Sequence, residues 1–296
     1  ECSLNSSEQA VCYGAAHQSN ISVSGDVRII TGNGIPNHDA DLFPNVGNPN
    51  VVTAQSLSYQ VPLNPQLTDT STWVRLPGVA LNGIKMEPET AERLGDTQWK
   101  YEANTFLGRT TDDPTSFPGN SLGLDCNFAH VQPSGEYHYH GVPTALMPTD
   151  IAVTLVGWAA DGYPVLARYG FDVPGDPTSA IVELHGSYRL KEGQREALDA
   201  TDTPPAGEYD GTFVQDWAFD SDFGDLDECN GRRENITVDG QTYDYAYYLT
   251  HSYPFMPRCI WGEVIDSQFT GGGGMGGPPS GGPPGGGPPG GGPPGA

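Results

Sequence analysis

The sequence predicts a mainly β protein: a single sandwich-like domain with long ordered loops and a disordered Gly/Pro-rich C-terminal tail. Three observations predict it. Short β-branched and aromatic runs are bounded by Gly, Pro and Asn, as strands are. Helical periodicity is confined to two short stretches, residues 87–94 and 191–198. The 40 Gly and 27 Pro of the 296-residue chain are concentrated at its end: residues 271–296 hold 15 Gly and 8 Pro. What remains is a body of 270 residues, long enough for one sizeable core.

Along the chain, residues 1–25 read as an N-terminal segment, 26–265 as the β-rich domain and 266–296 as the tail. Asp26-Val-Arg-Ile-Ile-Thr31 opens the domain as a strand, and Tyr243-Asp-Tyr-Ala-Tyr-Tyr-Leu-Thr250 is another near its end. Residues 87–94 and 191–198 are each short enough to be one helix on a sheet or loop. The apolar run 151–160 reads as a strand followed by a turn at Asp161-Gly162. The tail repeats Gly-Gly-Pro-Pro every five residues, a period that excludes collagen, and reads as a linker or surface tether.

With 13 Lys+Arg against 37 Asp+Glu the net charge is −24, and no basic run exists to displace counterions from phosphates. Nucleic acid is therefore excluded as a partner. The longest apolar run is half of the roughly 20 residues a membrane-spanning helix needs. The chain begins at Glu1 without a basic leader, which reads as a processed protein with a secreted, extracellular or periplasmic address. Five cysteines suit that address: Cys2 and Cys12 can clip the N-terminal segment, and Cys229 and Cys259 can brace the domain. Cys126 is left over as a buried thiol, an intermolecular link, a disulfide partner of Cys229 or Cys259, or a thiolate ligand. Sequons at Asn5, Asn20 and Asn235 fit secretion weakly.

The most informative stretch is Cys126-Asn-Phe-Ala-His130-Val-Gln-Pro-Ser-Gly-Glu-Tyr-His138-Tyr-His140. On a strand the period of two places His138 and His140 on one face and Tyr137 and Tyr139 on the other, toward the core. A turn at Pro133-Ser134-Gly135 folds His130 back beside them as the other arm of a hairpin. Three imidazoles at one point suit a transition metal, copper or zinc, better than oxygen-seeking Mg or Ca. The alternative is a half-buried strand whose histidines bond to loop backbone. With copper, oxidative chemistry assisted by Tyr137 or Tyr139 is the expectation, and with zinc, hydrolysis by activated water.

Tyr137-His-Tyr-His-Gly-Val-Pro143, with Gly123-Leu-Asp125 and Ala129-His-Val-Gln-Pro133 before it, resembles the YHYH-domain family. Gly34-Ile-Pro-Asn-His38, Gly157-Trp-Ala-Ala-Asp-Gly-Tyr-Pro164, Leu226-Asp-Glu-Cys-Asn-Gly-Arg232 and Tyr253-Pro-Phe-Met-Pro-Arg-Cys259 extend the resemblance over approximately residues 26–262. It implies a secreted or envelope protein, often with a Gly/Pro-rich terminus, and implies no reaction. It also adds His38 as a candidate fourth ligand.

Asp161 can act as ligand or base at a strand end, although a turn role is the simpler reading. The acidic run 220–228 offers Asp225, Asp227 and Glu228 as calcium or outer ligands, but its spacing fails the EF-hand pattern. Gly119-Asn-Ser-Leu-Gly123 matches a hydrolase nucleophile pattern without the strand and helix that the chemistry requires. His17, His185 and His251 read as structural. Two functions follow: a secreted domain holding copper or zinc through His130, His138 and His140, with His38 or Cys126 as further candidates; or a non-catalytic, calcium-stabilised surface or matrix protein whose acidic face and tail make the contacts.

Overall fold

The computed structural model describes residues 13–45, 47–103 and 122–271. The Cys2–Cys12 clip, the Asn5 sequon, Ser121 and the tail beyond residue 271 lie outside the described residues. In chain order the strands are β1 (Ser19–Ser24), β2 (Val27–Gly32), β3 (Leu57–Pro62), β4 (Leu67–Trp73), β5 (Gly78–Ala80), β6 (Lys85–Met86), β7 (Glu89–Arg93), β8 (Lys100–Glu102), β9 (Ala129–Val131) and β10 (Tyr137–Tyr139). They continue with β11 (Leu155–Ala159), β12 (Pro164–Leu166), β13 (Tyr169–Phe171), β14 (Ile181–Glu183), β15 (Tyr188–Leu190), β16 (Trp217–Phe219), β17 (Gly231–Val238), β18 (Gln241–Tyr248) and β19 (Cys259–Gly262).

The fold is mainly β. Eight strands form the main sheet in the order β9-β10-β6-β5-β11-β12-β18-β17. The antiparallel sheet β1-β2-β3 packs against it, with Ile30, Tyr59 and Val61 in the shared core and the Arg28 guanidinium 3.3 Å over the Trp158 ring. The Cys229–Cys259 disulfide ties the loop before β17 to the first residue of β19.

Both expected helices are absent. Residues 89–93 form strand β7, paired with β8, because Pro88 follows Glu87 and holds it out of the helical region. Residues 191–198 run without a helix: Gly193 takes a positive φ of 86°, and the Arg195 side chain is drawn to Asp216 and Asp210 at 2.8 and 2.5 Å.

The main sheet is an internal repeat. From either edge the pairings run antiparallel, parallel, antiparallel, antiparallel at the centre, then the same in reverse. The centre is Val79 opposite Trp158, flanked by Gly78 opposite Ala159 and Ala80 opposite Gly157. Residues 77–86 and 156–165 correspond bond for bond. Ala80 N donates to Ile84 O as Ala159 N does to Tyr163 O, and Leu81 N to Val156 O as Ala160 N does to Pro77 O. The two glycines are required there: a Cβ on Gly78 would meet the Trp158 carbonyl at 2.7 Å, and one on Gly157 the Val79 carbonyl at 2.5 Å.

The outer hairpins repeat as well. Asp125 Oδ1 accepts the Asn127 and Ala129 amides at 2.8 and 3.1 Å, and Oδ2 the Tyr137 hydroxyl at 2.6 Å. Asp227 Oδ1 accepts the Cys229 and Gly231 amides at 2.9 and 3.1 Å, and Oδ2 the Tyr245 hydroxyl at 2.6 Å. Each turn has a non-glycine residue at positive φ three positions on, Phe128 at 53° and Asn230 at 59°. β9 and β10 thus correspond to β17 and β18, and His130, His138 and His140 to Arg232, Ala246 and Tyr248.

Candidate metal centre

The hairpin expected from the sequence is present. Gly135 turns the chain at φ 87°, and His138 pairs directly opposite His130, so their side chains leave the same face. His140 follows two residues later on that face, its amide bonded to the Phe128 carbonyl at 2.8 Å. The three rings form a nearly three-fold cluster, with centroids 4.6 to 4.7 Å apart and planes inclined at 63° to 79°. His140 Nε2 lies 3.0 Å from both His138 Nε2 and His130 Nε2. Among the described residues this is the group of His, Cys, Asp or Glu whose donor atoms converge, all within 4.8 Å.

The far sides of the rings fix the protons. His130 Nδ1 faces the Leu122 carbonyl at 2.8 Å and His138 Nδ1 the Glu136 carbonyl at 3.3 Å, so each Nδ1–H donates outward and each Nε2 presents a lone pair inward. A single proton on His140 Nε2 can serve only one of its two neighbours. The other neighbour's lone pair is left facing a nitrogen with no proton to offer it, and a cation among the three nitrogens relieves this. Metal–nitrogen bonds of about 2.0–2.1 Å at a tetrahedral angle set nitrogens about 3.3 Å apart, a few tenths of an ångström beyond the two contacts that His140 Nε2 makes at 3.0 Å. Burial lowers the basicity of all three rings, and for His138 and His140 the neighbouring histidines add to it. The rings are thereby kept neutral, the state a metal requires.

A carboxylate missed in the sequence borders the cluster. Glu87, at the end of β6, is buried and places Oε2 at 3.9 Å from His138 Nε2. Lys85 and Gln132 hold that oxygen at 3.4 and 3.0 Å, and Arg75 Nε and Nη2 hold Oε1 at 2.7 Å each. The sequence signal for it is slight: Lys85 and Glu87 on alternate positions of an otherwise apolar stretch.

The remaining candidates lie elsewhere. His38 sits on the opposite face of β10: its Nε2 meets the Tyr139 hydroxyl at 2.6 Å and its ring stacks on Tyr139, so it is not a fourth ligand of the cluster. Tyr137 and Tyr139 face the core on that same side, bonded to Asp125 and to Asn82 and His38, and burial raises both phenols. Neither can assist chemistry at the histidines. Cys126 is disulfide-bonded, which removes the thiolate, and its partner is neither Cys229 nor Cys259.

Asp161 is fully buried in the β11–β12 turn, where Oδ2 accepts the Tyr247 hydroxyl and the Gly262 amide at 2.7 and 2.9 Å. Burial raises it to about 6, as it raises Asp125. Asp227 is likewise consumed by the Tyr245 hydroxyl, the Trp261 indole at 3.0 Å and two backbone amides, and burial raises it to about 7. Asp225 turns to the His185 amide, and Glu228 lies in the loop behind β17. The acidic run is not gathered into a cage.

No helix of the described residues is long and apolar enough to cross a membrane. No curated protein and no solved structure matches the chain. The family model described as YHYH protein matches residues 58–262, a span that contains the main sheet, the three histidines and Glu87. The chain therefore belongs to the YHYH protein family.

Proposed function

We propose that this chain is a secreted metal-binding protein in which His130, His138 and His140 hold copper or zinc. One observation carries the reading: three imidazoles meet at one point, His140 Nε2 lying 3.0 Å from the Nε2 atoms of both His130 and His138, whose own protons are committed to carbonyls behind. Such a cluster is an electrostatic deficit without a cation and a facial ligand set with one. The disulfides at Cys126 and at Cys229–Cys259 support an oxidising, extracytoplasmic compartment.

Thermal unfolding with selective chelators tests it. A transition-metal chelator is expected to lower the melting temperature of the native protein, with zinc or copper restoring it, and to leave a His138→Ala/His140→Ala variant unmoved. Loss of stability to a calcium-selective chelator, equal in both proteins, would instead favour the calcium-stabilised surface or matrix protein.

A further inference from the structure

We infer that Glu87 supplies the fourth, anionic donor to the histidine cluster, closing it as a site of three imidazoles and one carboxylate for a divalent zinc-type ion, with no position left for a substrate. The inference rests on the metal-binding reading above.

The geometry permits direct coordination. In a tetrahedral site two bonds of about 2.0–2.2 Å set the donors about 3.4 Å apart, and Glu87 Oε2, 3.9 Å from His138 Nε2, stands just outside the three converging nitrogens and reaches that spacing by swinging inward. The carboxylate is also aimed. Arg75 occupies Oε1 with two hydrogen bonds, while Lys85, itself bonded to Gln132 and paired with Glu136 at 3.1 Å, and the Gln132 amide hold Oε2 on the side of the histidines. Arg75 and Lys85 balance Glu87 and Glu136, so the centre takes up the ion's charge without an uncompensated buried carboxylate beforehand.

The other half of the sheet supplies an independent observation. At the position of His130 stands Arg232, and at that of Gln132 stands Glu234, whose Oε1 accepts Arg232 Nε and the Tyr248 hydroxyl at 2.6 Å each. That half carries its own buried cation beside one carboxylate. The position matching Glu87 is Leu166, fully buried and apolar. A buried carboxylate thus stands beside the matching positions in each half, from a different strand, and in the histidine half it is Glu87. Three neutral nitrogens and one carboxylate oxygen in a facial arrangement suit tetrahedral zinc, whereas copper(I) favours softer donors.

Cobalt(II) loaded into the full chain is the probe. The native protein is expected to show the intense visible bands of a four-coordinate ion, unchanged by azide. Glu87→Ala is expected to bind azide with a spectral shift, and both Glu87→Ala and the shape-preserving Glu87→Gln to bind zinc at least 10-fold more weakly. An azide-induced shift in the native protein, or unchanged zinc affinity in Glu87→Gln, would overturn the inference while leaving the histidine site standing. Uptake of copper but neither cobalt nor zinc would overturn this inference and leave the histidine site standing, and failure to take up cobalt, zinc or copper would sink the histidine site itself.

Discussion

The two halves of the main sheet share hydrogen bonds, turn geometry and tyrosine anchors, yet differ where it matters chemically. In one, His130, His138 and His140 converge on a point; in the other, Arg232, Ala246 and Tyr248 occupy the same positions, and the guanidinium bonds to Glu234 at 2.6 Å and to the Phe171 carbonyl at 2.5 Å. A scaffold used twice can thus carry a cation supplied by the chain or one supplied from solution. The frame is common to both, and the side chains projecting from the outer hairpin decide which.

Perturbing the halves in parallel sharpens this contrast. The largest effect is expected from Arg232→Met, which leaves Glu234 buried without its cationic partner and should destabilise the fold by about 3–5 kcal/mol in denaturant titration, with metal content unchanged. A loss of metal in that variant would show the halves are not independent. Gly78→Ala and Gly157→Ala push a Cβ into a carbonyl at equivalent positions, and each should lose about 1–3 kcal/mol, by amounts similar to one another.

The matching tyrosines should part company. Tyr247→Phe takes a donor from the fully buried Asp161 and is expected to lose about 1–3 kcal/mol. Tyr139→Phe leaves only Asn82 and His38 to find other partners and should lose about 1 kcal/mol.

The last contrast is a pH slope. Asp227 titrates at about 7 in the fold because it is buried, against about 3.9 when unfolded, so between those values the folded state holds a proton that the unfolded chain has lost. Its contribution is therefore full near pH 4 and fades as pH rises through 7. Asp227→Asn should flatten the decline in melting temperature between pH 5 and 8. An unchanged slope would place the titration elsewhere.

The hairpin that gathers the histidines is legible because its two signals are local: the period of two at Tyr137 to His140 and the Pro-Ser-Gly turn that folds His130 opposite. His38 and the two tyrosines show what local pattern cannot give. A strand's two faces are told apart by what packs on each, and His38 comes to the tyrosine face through a contact about a hundred residues distant. The short helical patterns mislead because one proline and one glycine outweigh a few well-spaced apolar residues.

The repeat is hard to read although its traces are visible in Gly78-Val-Ala-Leu-Asn-Gly83 against Gly157-Trp-Ala-Ala-Asp-Gly162. Leu-Asp-Cys-Asn and Leu-Asp-Glu-Cys-Asn set the cysteine and asparagine one position apart in turns of equal length, so the letters fall out of step while the aspartate keeps the same role in both turns. Glu87 escapes a local reading because it reaches the histidines through the parallel pairing of β6 with β10, which brings together segments about fifty residues apart.

Elemental mass spectrometry on the 296-residue chain purified without added metal or an affinity tag tests the central claim most directly, with native protein and the His138→Ala/His140→Ala variant side by side. About one zinc or copper per chain is expected in the native protein and essentially none in the variant, whose fold should otherwise persist. Equal transition-metal content in the two, or calcium alone in both, would contradict it.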